Sequence, residues 1–240
     1  MSKLAAPILE DLGRVEAERA VRAATPGLAA KVGAIKRYQQ RRFAMSYASL
    51  LASERYGPAA SFFLEELYGP QDFAQRDAQF SKVVPSIVRL FPKSVLDTVA
   101  SLAGLHALSE QLDTATGEAL ESPTVDSRTY VQAWQRCGKP EMRERQIAMT
   151  INLGHALDRL TRKPMLRSSL RMMRGPAVAA GLGELQRLLE RGFDAFGAMG
   201  GAKEFLATVE GQERRLAGSL FAADPGAIEQ ESGPLGLRLP

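Results

Sequence analysis

The chain has 240 residues, 45% hydrophobic and 24% charged, with a formal net charge of +4. This profile excludes a disordered or globally cationic chain and leaves enough apolar material for a sizeable core. The lone Cys137 precludes an internal disulfide, and one Cys with two His falls short of the four ligands of a structural zinc site.

The opening residues, MSKLAAPILEDLGRVEAERA, lack the basic start and long apolar run of a secretion signal. No apolar stretch approaches the roughly 18–20 residues of a membrane-spanning helix, TVASLAGLHAL being among the longest. A cytoplasmic protein is expected.

Helix formers dominate, short alternating strand patterns are nearly absent, and Pro and Gly punctuate the sequence at helix-length intervals. The spacing predicts helices near 3–24, 27–56, 58–68, 72–91, 93–119, 126–138, 140–163, 165–174, 176–198 and 201–222. Pro85 falls inside the fourth and predicts a kink or break there. Asp72 with Gln75 forms a capping-box pattern, and Asp126 is a second candidate cap. Met199-Gly200-Gly201 reads as the break between the last two helices. The expected fold is all-α: one multi-helical bundle of nine or ten helices over 1–222, followed by a flexible tail over 223–240.

The most distinctive stretch lies between two copies of Tyr-Gly-Pro, at Tyr56 and Tyr68, and reads FFLEELY. Gly57-Pro58 and Gly69-Pro70 bracket a short helix. Turned at about 100° per residue, Phe63, Leu64, Leu67 and Tyr68 share one arc about 140° wide. Glu65 and Glu66 lie outside it, so they are expected to be solvated or paired with Arg76 or Arg55. Phe62, left out of the arc between the two acids, is a candidate anchor for a partner.

FFLEELYGP, with the DFAQRDAQF and VVPSIVRLFP that follow, resembles a family of bacterial proteins distinguished by an FFLEELY motif. The match is close over 62–92. The resemblance implies a helical intracellular protein with no assigned activity, and it carries over no catalytic residue.

His106 ends a core stripe of Val95, Val99 and Leu102, with Glu110 one turn on; a carboxylate at that spacing could orient the ring or raise its pKa. His106 and Glu110 are therefore the candidates for a haem or metal site. His155 lies off the apolar face of its helix, beside Asn152 and Arg159, and the two rings are not expected to converge.

Between Lys139 and Arg174 nine basic residues face three acidic ones, a local charge of +6. Within RLTRKPMLRSSLRMMRGP, Leu166, Leu170 and Met173 recur at helical spacing, and Arg167, Arg171 and Arg174 repeat it one residue later. Arg159, Arg162 and Lys163 extend the same surface. Such a face suits an anionic protein or lipid surface; nucleic acid is disfavoured because no aromatic is interleaved for base stacking. There is no P-loop, since GLGELQ and GAMGGAKEF lack its order, and no Gly-x-Ser-x-Gly elbow. Cys137 sits at a helix end, where the dipole disfavours a thiolate. A non-enzymatic binding protein without a cofactor is expected, with a His106–Glu110 metal or haem protein as the alternative.

Overall fold

The computed structural model describes residues 5–67, 69, 73–226 and 239–240, and among these every regular element is helical. In chain order they are α1 (Ala5–Ala24), α2 (Leu28–Ser46), α3 (Ala48–Leu51), α4 (Gly57–Phe62) running into a π-helical turn (Phe63–Leu67), α5 (Ala74–Leu90), α6 (Lys93–Ala119) and α7 (Ser127–Cys137). Then follow α8 (Pro140–Thr161), α9 (Pro164–Met172), α10 (Arg174–Ala179), α11 (Gly183–Ala198) and α12 (Lys203–Ala222). Counting α4 with its π continuation, ten of these described segments exceed eight residues. The fold is all-α.

Local chemistry explains most boundaries. Asp126 caps α7 through a reciprocal box: its Oδ1 accepts from the Thr129 amide at 2.8 Å, and Thr129 Oγ1 accepts from the Asp126 amide at 2.9 Å. The break after α11 is made by Gly200 and Gly201, at φ 62° and 134°, backbone that side chains with a Cβ rarely adopt. Two predicted helices are divided. The 27–56 segment breaks at Tyr47, whose φ of −114° leaves the helical region and whose hydroxyl donates to Glu213 of α12 at 2.7 Å. The 176–198 segment breaks between α10 and α11 at Gly181, φ 73°. Pro85 does not end α5, which continues to Leu90. The Asp72–Gln75 cap, Tyr68 and most of the predicted tail, 227–238, lie outside the described residues.

The long α6 forms the spine, with α1, α2, α7 and α8 packed around it; α12 lies on α7 and α8, and α11 bridges α4, α5 and α8. Three groups of buried side chains fill the spaces. One joins Phe43, Phe62, Phe63, Phe196 and Phe205. Its ring pairs at 5.9 Å (Phe63–Phe196) and 5.6 Å (Phe63–Phe205) each add about 0.5–1.5 kcal/mol beyond area burial. A second gathers Tyr38, Tyr130, Trp134 and Leu220, with Leu239 packed against it. The third sets Ile8 and Leu12 of α1 against Phe80 and Val84 of α5.

Candidate functional site

Phe62 and Glu66 of the FFLEELY segment are built into the interior more fully than the periodicity suggests. Phe62 is buried rather than free to anchor a partner, because α11 closes over that side. A Cβ placed on Gly192 of α11 would stand 2.9 Å from the Phe62 ring, so the glycine makes the seat for the aromatic. From Phe63 the backbone switches to π hydrogen bonding, i→i+5, and each residue turns through less than 100°. Glu66 is consequently half-buried between helices, paired with Arg76 of α5 at 3.2 Å and Arg191 of α11 at 2.6 Å. Glu65 is half-exposed and also pairs with Arg191. Arg76 is a partner the sequence points to, whereas Arg55 instead meets Glu204.

His106 is half-buried, but it bonds Asp77 of α5 rather than Glu110: Nε2 lies 2.8 Å from Asp77 Oδ2. Asp77 also accepts from Arg19 of α1 at 2.5 Å, and Arg76 Nε lies 3.9 Å away. One turn along α6, both Glu110 oxygens are occupied, Oε2 by Arg22 and Oε1 by Lys36 of α2, each at 2.5 Å. Arg22 further donates to the Glu110 carbonyl at 2.6 Å and to Thr114 Oγ1 at 2.8 Å. Lys36 stands 3.8 Å from Asp113, which accepts from Gln39 at 3.3 Å. Burial alone would raise the Glu110 pKa; the charges of Lys36 and Arg22 outweigh it and bring it down to about 2. Asp77 is lowered against the same burial penalty by His106 and Arg19, while burial dominates at Asp113 and raises it.

These side chains are cross-braces between α1, α2, α5 and α6. Each carboxylate oxygen of Glu110 is spent on a cation, and no cluster of three or more His, Cys, Asp or Glu suited to a metal occurs among the described residues. Asp77, Arg19, Arg22 and Lys36 had no place among the sequence candidates. One signal was available: Ala5, Ile8, Leu12, Val15, Arg19 and Arg22 continue a single 3-4-3-4-3 spacing, so the apolar stripe of α1 turns basic in its last two positions.

The basic stretch divides into paired and unpaired cations. Arg167 and Arg171 reach Asp194 of α11 at 2.8 and 3.9 Å, Arg174 grips Glu190 through Nε at 3.0 Å, and Arg162 meets Asp158 at 2.8 Å. Arg159 and Lys163 are exposed with no ion pair among the described residues. Arg143, which belongs to the same run in sequence, is buried and leaves this surface altogether. Along α9, Leu166 and Leu170 turn toward the bundle and are half-buried. Met165 and Met172, seven residues apart and so on one helical line, are 81% and 79% exposed. Met173 and Val178 add exposed apolar surface beside them. His155 is half-buried on α8, and Glu144, three turns earlier on the same helix, is held by Arg214 of α12 at 2.8 Å.

The arrangement defines an all-α helical protein with a buried ionic brace and one exposed cationic, methionine-bearing face; no helix among the described residues is long and apolar enough to cross a membrane. The chain belongs to the family described as Domain of unknown function (DUF8198), whose model matches residues 18–227. No curated protein and no solved structure matches it.

Proposed function

We propose that the chain is a non-enzymatic interaction protein whose α8–α9 face takes an anionic partner, an acidic protein segment that also carries apolar side chains. The observation that supports this most directly is the exposure of Met165 and Met172 on the helix that follows Arg159 and Lys163, two exposed cations with no ion pair among the described residues. Unbranched methionines repack around varied apolar shapes, and exposed apolar groups rimmed by charge mark contact surfaces. Arg167 and Arg171 share the half-exposed Asp194 in pairs of a kind worth about 0–1 kcal/mol in general, so a partner's carboxylates compete for them at little cost, whereas Arg162 and Arg174 hold the more buried Asp158 and Glu190.

The test uses an amphipathic peptide of Glu and Leu, with vesicles of neutral and of anionic lipid as separate arms. The peptide should bind at low ionic strength and weaken as salt is added. Arg159→Glu with Lys163→Glu should abolish binding, and Met165→Ser with Met172→Ser should weaken it, each without shifting the thermal midpoint. Reversal of Arg167, Arg171 and Arg174 is less informative, since it also removes their intramolecular pairs. No peptide binding at low salt, or binding to anionic vesicles alone, would overturn the reading.

A further inference from the structure

The end of α8 meets the break between α11 and α12, and a cleft of about 160 Å³ lies between them. Thr161 and Arg162 line one side of it, and Gly197, Gly200 and Gly201 the other. Phe196, next to Gly197, turns into the core and is 1% exposed, so the glycine side of the cleft is backbone. Gly200 and Gly201 are needed for their positive φ. Gly197 is not: it lies in α11 without a positive φ, where glycine is less stable than alanine. A Cβ placed on it would meet nothing within 4 Å. What the missing side chain leaves is room.

The polar groups around the cleft are already engaged. Asp158 accepts from Arg162 at 2.8 Å through Oδ2 and from the Ala202 amide at 3.2 Å through Oδ1. Thr161 Oγ1 donates to the Asp158 carbonyl at 3.0 Å, and the Gly197 carbonyl accepts from the Gly200 amide at 3.3 Å. Arg55 donates to the Gly201 carbonyl at 3.4 Å. A polar ligand would have to displace these bonds, whereas a hydrocarbon group needs only the space. A cavity of about 150 Å³ holds a benzene ring, so one large side chain fits. Arg162 gives one nitrogen to Asp158 and is 64% exposed, which leaves donors at the mouth for a carboxylate.

We infer that this cleft is the anchor pocket of the α8–α9 face: one apolar side chain of the acidic partner, leucine- to phenylalanine-sized, enters beside Gly197, and a neighbouring carboxylate of the same segment pairs with Arg162. The pocket presupposes the interaction face proposed above and adds the point at which its affinity is concentrated, since binding energy gathers where a bulky group fills a pocket. Arg159 and Lys163 stand three residues before and one after Arg162, so the pocket and the unpaired cations share one end of α8.

The full chain is titrated at low ionic strength with the amphipathic Glu/Leu peptide and with versions carrying Ala at each Leu in turn. One leucine should dominate, its replacement weakening binding about 30-fold, while the others cost less than about threefold. Gly197→Leu fills the cleft from the protein side. It should weaken the unmodified peptide by a similar factor without lowering the thermal midpoint, because a helical glycine gives way to a better helix former. In that variant the alanine series should flatten, since the dominant leucine has lost its seat. Gly218→Leu, at the far end of α12 and equally free of neighbours, should bind as the parent chain does. If Gly197→Leu lowers the midpoint, Gly197→Ala decides in its place, with a loss of about threefold. No peptide binding to the parent chain would sink the α8–α9 face and this pocket with it. Unchanged binding in Gly197→Leu, a parent series without a dominant leucine, or an equal loss in Gly218→Leu would overturn the pocket alone.

Discussion

Arg22 holds Glu110 at two points in the interior, its Nη1 on the carboxylate at 2.5 Å and its Nη2 on the backbone carbonyl of the same residue at 2.6 Å. Side chain and main chain of one α6 residue are thus fixed by one guanidinium from α1, and the angle between the helices is set by a rigid fork. Lys36 completes the pairing from α2.

Removal of this fork should be costly. Arg22→Ala leaves a buried carboxylate short of one of its two cations and removes the guanidinium from a carbonyl that keeps Thr114 Oγ1 as a donor, and the loss of one partner of a buried ion pair runs to about 3–5 kcal/mol. Denaturant unfolding should show a lowered midpoint with an unchanged slope. A loss below about 1 kcal/mol, the range of an exposed pair, would mean that the brace contributes little.

The same group sets the response to acid. Glu110 titrates at about 2 in the folded protein against an ordinary 4.5. Above pH 4.5 its native contacts count in full. As the pH falls from 4.5 toward 2, the unfolded chain takes up a proton that the folded one refuses, so stability declines across that window, by something on the order of 3 kcal/mol. Asp77, also lowered, acts in the same direction; Asp113, raised by burial, opposes it, since it favours the folded state at the lower pH. In Glu110→Gln the stability measured by urea unfolding should vary less between pH 6 and pH 3. An acid limb as steep as that of the parent protein would place the sensitivity elsewhere.

The seat of Phe62 offers a test of packing alone. With 2.9 Å between its ring and a Cβ at position 192, Gly192→Ala should strain the α4–α11 contact by about 1–3 kcal/mol. Phe62→Leu shortens the side chain and should recover part of that loss in the double variant, although it is destabilising by itself. Additive effects in a double-mutant cycle would show that the two positions do not press on one another.

The sequence by itself determined the helical class and most helix ends, because propensity, caps and Pro/Gly punctuation act over a few residues: α6 runs over the predicted 93–119, and Asp126 caps α7 through Thr129, three residues on. Tertiary structure decided what the charged and aromatic side chains face. His106 finds Asp77 on another helix, Arg22 finds Glu110 from 88 positions away, and Arg143 is drawn from a basic run into the core. The π turn after Phe62 altered the rotational phase on which the outward placement of Glu66 rested. Helix geometry fixes the angle of a side chain about its own axis. Which neighbour lies in that direction, and whether it excludes water or supplies an opposite charge, depends on how the helices pack.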